Sequence, residues 1–178
     1  MESDAASFTN PQIKTGELPR WEEVMMEPLA KAAPWELFWQ TCIVYLVFGL
    51  ATVVALFTLP LPFFIRLIVL LAGLFSFIAI QWYHFREHRQ RGVALRDKDV
   101  LFKKGLWWRE RAALPLNRVQ HIEIHRGVIE RKLGLSTLKL YTAGGSGVDL
   151  QISGLESDRA DRMKQYILEK TRSEVFEQ

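Results

Sequence analysis

The chain has 178 residues, 24% of them charged and 49% hydrophobic, with a formal net charge of +3. That length accommodates one small soluble domain beside some membrane-embedded chain and excludes two large domains. A single cysteine, Cys42, excludes an internal disulfide. Mean hydropathy is close to zero, but the average sums an apolar middle and two polar flanks: between Glu36 and Arg86 the one formal charge is Arg66.

Residues 1–34 form an acidic N-terminal flank without the basic and apolar regions of a secretory signal peptide. Leu18, Trp21, Val24, Met25 and Leu29 are spaced to make a short amphipathic element, while Pro11, Pro19, Pro28 and Pro34 break any long helix. A flexible tail and an acidic contact onto the basic C-terminal part are both open.

Residues 35–85 read as a transmembrane hairpin. The run Phe38–Leu59 is about 22 residues long, roughly 33 Å as a helix, which matches the hydrocarbon core. A second run, Phe63–Tyr83, is of similar length, and Leu59-Pro60-Leu61-Pro62 turns the chain between them. The first helix is expected to act as the insertion signal. Arg86, Arg89, Arg91 and Arg96 follow the second helix and the turn carries no charge, so the positive-inside rule puts both termini in the cytoplasm. Trp35 and Trp39, with Trp82 and Tyr83, are expected to anchor the helices at that interface, with Arg86 and Arg89 beside them. Arg66 stands about one turn past Pro62 and can snorkel to the outer headgroups. Gly49 and Gly73 permit close helix contact. Cys42 lies in the first run and reads as a small packed hydrophobe.

Beyond residue 86 the pattern changes to short alternating runs. Strands are expected at Val93–Leu95, Val100–Leu106, Trp107–Leu114, Val119–His125, Leu138–Tyr141 and Val148–Ile152. Lys103-Lys104-Gly105 marks a turn, and Gly144-Gly145-Ser146-Gly147 a hairpin. Gly127–Gly134 reads as one or two helical turns closed by glycine. A final helix carries Ala160, Met163, Tyr166 and Ile167 on one face, with Ser157 as its cap and Asp158 and Asp161 in its first turns. The whole is α+β: a helical hairpin, then a small barrel or curled antiparallel sheet over residues 86–172 with a C-terminal helix, and a short tail at 173–178.

Three segments resemble a known family: Pro115-Leu116-Asn117-Arg118-Val119-Gln120-His121-Ile122, Gly127 with Arg131-Lys132-Leu133-Gly134-Leu135, and Leu138 with Thr142-Ala143-Gly144-Gly145. They are similar to the bacterial pleckstrin-homology-like domain of type 2, formerly DUF304. Two membrane helices followed by one such domain resemble the YdbS-type membrane proteins. The resemblance covers roughly residues 35–172. It implies a PH-like barrel in the bacterial cytoplasmic membrane and supplies no catalytic residue. It also implies a partner, a larger membrane protein bearing repeated domains of this type, and a role in envelope maintenance or stress.

No chemistry-bearing cluster competes with a binding role. His121, Glu123 and His125 would share one face of a strand, but three ligands in one row splay around a metal. The glycine-rich run lacks the lysine and following helix of a phosphate-binding loop. Ser136, Ser146 and Ser153 sit near turns, and none has an oriented base. The reading is therefore a non-enzyme without cofactor or metal. Its basic residues, Lys103, Lys104, Arg109, Arg111, Arg118, Arg126, Arg131 and Lys132, are candidates to meet a lipid or a protein partner. Nucleic acid is disfavoured because acids interleave them. The leading reading is a scaffold that presents the domain to another membrane protein or a second copy. The alternative is direct binding of anionic lipid headgroups.

Overall fold

The computed structural model describes residues 24–143 and 147–176, the last four by backbone alone. Its two apolar runs form helices α1 (Ala33–Thr58) and α2 (Phe63–His88), each of 26 residues. Both exceed the apolar runs themselves. Pro34 occupies the first turn of α1, where a missing amide proton costs no hydrogen bond. At the other end, Arg86 and His88 lie in the last turn of α2, where cations complement the helix dipole.

Phe48, Phe57, Phe63 and Phe75 are 69–79% exposed. In the most apolar stretch of each helix, the rest of the protein covers 6% for α1 and none for α2. Helices that are long, apolar and uncovered require an apolar solvent, which a bilayer supplies. Within the hairpin the helices meet through the Tyr45 hydroxyl and Ser76 Oγ, 2.9 Å apart, and through the edge of Tyr45 against Phe77. Gly49 and Gly73 do not make this contact, since a Cβ on either would touch nothing within 4 Å. Arg66 reaches the turn, where its Nη2 donates to the Leu59 carbonyl at the end of α1 (3.1 Å).

The soluble part is a sandwich of two antiparallel sheets. One sheet orders β1 (Glu27–Pro28), β2 (Gly92–Leu95), β3 (Asp99–Lys104) and β4 (Glu110–Pro115) side by side. The other orders β5 (Val119–His125), β6 (Leu135–Thr142) and β7 (Leu150–Glu156). A short helix, α3 (Val128–Leu133), joins β5 to β6 and ends at Gly134. Helix α4 (Ser157–Phe176) follows β7 directly. Val93, Val100, Leu116, Leu138, Leu140, Ile152 and Leu155 are fully buried between the sheets, and Ala160, Met163 and Ile167 of α4 close the same core. The sheets curl toward one another without closing into a barrel: β4 and β5, consecutive in the chain, lie in different sheets.

The first sheet begins before the membrane hairpin and resumes after it. Glu27 pairs with Val93 and Pro28 with Gly92. Two residues later the Ala30 amide donates to the Gly154 carbonyl on β7 (3.0 Å), so this short segment bridges both sheets. Gly154 has φ +81, and a Cβ there would stand 2.6 Å from the Ala33 side chain. Only glycine lets the start of α1 come so close to β7. Arg159 of α4 holds the segment from outside, donating to the Pro28 carbonyl (2.8 Å) and the Glu27 carboxylate (2.6 Å). The acidic flank thus contacts the domain through Glu27; Leu18 and Trp21 lie outside the described residues.

Three local expectations change. Trp107 and Trp108 belong to a turn, not to the strand expected at Trp107–Leu114, because Gly105 at φ +94 folds the chain back so tightly that a Cβ would meet the Trp108 carbonyl. Ser157 is the first residue of α4, and its hydroxyl meets Ser136 Oγ at 2.9 Å. The helix runs on through Phe176, past residue 172. Of the glycine-rich hairpin, Gly144, Gly145 and Ser146 lie outside the described residues.

Candidate membrane-facing site

The end of α2 and the turn between β3 and β4 are built as one unit. Four residues before Arg91, Glu87 turns its carboxylate into the domain, where the side chain is 7% exposed. Arg91 Nε donates to both carboxylate oxygens (2.9 and 2.8 Å) and its Nη2 stands 2.6 Å from one of them. The Gly105 amide donates to the same carboxylate at 3.0 Å. A charge this buried persists only with such partners, so the carboxylate fixes the β3–β4 turn to the end of a membrane helix.

Pairing of β3 with β4 sets Lys103 opposite Arg111 and Lys104 opposite Glu110. With Gln90, Gly105 and Arg109 these residues line a small cup of about 140 Å³. Lys104 Nζ stands 3.1 Å from the Glu110 carboxylate, both largely in solvent. Among the described residues, four cations and one acid line the cup. Four of the eight basic candidates therefore converge here.

The other four do not line the cup. Arg126 is committed elsewhere, donating to Ser136 Oγ (2.9 Å) and Asp161 (2.6 Å). Arg118 lies in the short 3-10 turn before β5. Arg131 and Lys132 end α3, whose Glu130 is buried and accepts from the Gly127 amide and the Thr137 hydroxyl, both at 2.6 Å.

The residues expected as interface anchors lie in separate aromatic contacts. Trp35 packs edge-on against Phe85 across the two helices, at 5.6 Å between centroids. Trp39 stands against Phe38, and the Arg86 guanidinium lies 5.6 Å from the Trp82 ring. Tyr83 packs edge-on against Trp107 of the β3–β4 turn at 6.3 Å. Arg89 lines a separate cleft of about 910 Å³ between the helix ends and the domain, with Lys31, Phe85 and Leu133.

On the outer face of the second sheet, His121, Glu123 and His125 are exposed. The Tyr141 hydroxyl donates to Glu123 (2.8 Å) and His121 Nε2 stands 3.2 Å from it. The Tyr141 hydrogen bond, then that from His121, holds the Glu123 carboxyl below its ordinary range, and the same bond pushes Tyr141 up. Among the described residues no group of three potential ligands is placed to hold a metal ion.

A family model for the bacterial PH domain matches residues 44–171, from inside α1 to near the end of α4. The chain belongs to the bacterial PH domain family. This bacterial PH domain protein is also similar to the UPF0699 transmembrane protein YdbS of Bacillus subtilis (strain 168), 27% identical over 81 residues. That match covers 46% of the chain and 49% of the relative, so the chain spans about half the length of the curated relative. A solved DUF1696 family protein with a pleckstrin-homology domain, from Shewanella loihica PV-4, overlaps 46% of the chain and 70% of its own at 14% identity and a TM-score of 0.36. With two uncovered apolar helices, the bacterial PH domain protein is a membrane protein.

Three structural features escaped sequence reasoning. Glu87 is the lone acid in the basic run Phe85–Arg91, four residues before an arginine, which is the signal that marks it. The adjacent tryptophans after Gly105 had a local signal too, but alternation absorbed them into a strand. The strand Glu27–Pro28 left none, being two residues long and containing proline.

Proposed function

We propose that the chain is a membrane-tethered binding module, not an enzyme, and that its cup at the β3–β4 turn engages anionic lipid headgroups. The observation that supports this best is the Glu87 carboxylate, which ties the cup to the end of a membrane helix. Cations held beside a leaflet gain about 1 kcal/mol each from its negative surface potential. The run Arg86, Arg89, Arg91 and Arg96 favours the cytoplasmic face of the bacterial inner membrane, where anionic lipid and both termini would meet.

The test uses the full chain, since residues 86–178 alone lack β1. Native mass spectrometry of the chain released from lipid nanodiscs counts retained phospholipids. The expected result is preferential retention of anionic lipid, weakened on the order of tenfold by K103E/K104E. Equal retention of zwitterionic and anionic lipid overturns it.

A second reading, the scaffold, is favoured by β4. It ends its sheet, and its outer edge pairs with no strand among the described residues. An open edge offers main-chain hydrogen bonds to a strand of another membrane protein or a second copy. A defined co-purifying protein, lost when Ala113→Pro blocks that edge, supports it.

A further inference from the structure

We infer that the turn Leu106-Trp107-Trp108 is a third membrane anchor, a rigid wedge that inserts two indole rings into the bilayer interface beside α2. Trp107 is 72% exposed and Trp108 84% exposed, although they are adjacent and belong to the bulkiest side-chain type. A pair of bare indoles at the tip of a turn marks a surface that something apolar covers. Tyr83 identifies the occupant. It lies five residues before the end of α2, about 7 Å along the helix axis, and Trp107 packs edge-on against it. The turn therefore reaches back along a helix that spans the membrane, to the level of Tyr83 beside Trp82.

Rigidity is built in from two sides. Gly105 at φ +94 packs under the Trp108 carbonyl, so the turn has no slack and any side chain there would clash. Its amide is held by Glu87. A preformed wedge loses little conformational freedom on insertion. Lys103, Lys104 and Arg109 flank the indoles, placing cations at headgroup level when the rings reach the acyl boundary. Tryptophan suits that boundary because its apolar face and its N–H are satisfied on opposite sides of it. The hairpin and the domain are already joined through Glu87 and through Ala30 on Gly154, so a further contact with the bilayer holds the cup against the headgroups. The inference shares its face with the lipid-binding reading but needs no lipid charge.

The test is tryptophan fluorescence of the full chain in nanodiscs of zwitterionic phosphatidylcholine, with and without bromine on the upper acyl carbons. The difference between the native chain and W107F/W108F isolates the two indoles from the remaining tryptophans. The expected difference signal is blue-shifted and lost to the bromines, and K103E/K104E leaves that loss unchanged. A signal at the wavelength of indole in water, unquenched, overturns the wedge. A blue-shifted but unquenched signal with a dimer in the disc also overturns it, by showing that a second copy covers the turn. Because these discs carry no anionic lipid, failure of headgroup selectivity and failure of the wedge are read separately.

Discussion

The hairpin and the sandwich use the same apolar residues in opposite ways. In the sandwich Leu138, Leu140, Ile152 and Leu155 are 0% exposed, whereas in the hairpin Leu46, Phe48 and Leu74 are 71%, 69% and 57% exposed. The sandwich hides its side chains from water with protein; the hairpin leaves that task to lipid. Cohesion differs accordingly. Hydrophobic burial holds the sandwich. Between the membrane helices the same residues gain nothing over lipid tails, and a polar pair, Tyr45 and Ser76, joins them.

Four substitutions break or sharpen this contrast. Leu138→Ala empties a fully buried site and is expected to cost about 2–5 kcal/mol, read as a shift in denaturant midpoint of the full chain in detergent. Leu46→Ala, the same chemistry on the lipid face, should leave the midpoint almost unmoved; equal losses would mean that the hairpin is packed against protein. Glu87→Gln weakens the junction where the two regions meet. It removes charge-assisted bonds worth about 2 kcal/mol, so amide exchange at Gly105 should rise on the order of 30-fold. Unchanged exchange there would show that the carboxylate does not hold the turn.

Tyr45→Phe deletes the interhelical hydrogen bond. Such bonds average about 0.6 kcal/mol in membranes, so a small destabilisation in a reversible detergent assay is expected, and none at all would leave the hairpin held by packing alone. A pH-dependent effect lies on the sandwich surface. Hydrogen bonds first from Lys170 and then from Tyr166 hold the Asp97 carboxyl below its ordinary range. A depressed folded value means that this contribution is complete above the unfolded pKa, about 3.9, and is lost as pH falls through the folded value. A carboxyl resonance titrating at or above the ordinary range would show that Lys170 and Tyr166 leave Asp97 in solution.

The distinction between the regions also sets what was legible. The two helices of the hairpin were legible, since hydrocarbon selects for composition and length, and both are properties of a single segment. The sandwich was read element by element: β5 falls at the expected Val119–His125, and Ala160, Met163, Tyr166 and Ile167 do face the core. Alternation could not show that Trp107 and Trp108 leave the strand, because the reversal depends on the backbone angle at Gly105. Nor could charge counting separate Arg126, already spent on Asp161, from Lys103 and Lys104, which line the cup. Proximity across a sheet is not encoded by spacing along the chain.

By itself the sequence determined that the middle of this protein lies in lipid, that a basic domain follows it and that the domain is of the bacterial PH type. Each of these rests on local composition or on short motifs. Tertiary structure alone decided that Glu27 and Pro28 complete a sheet interrupted by the membrane hairpin, and that a buried carboxylate binds a turn to a helix end. It also brought the exposed indole of Trp107 against Tyr83. Those features join residues far apart in the chain, and the free energy that selects them comes from packing and pairing, which exist only once the fold has formed.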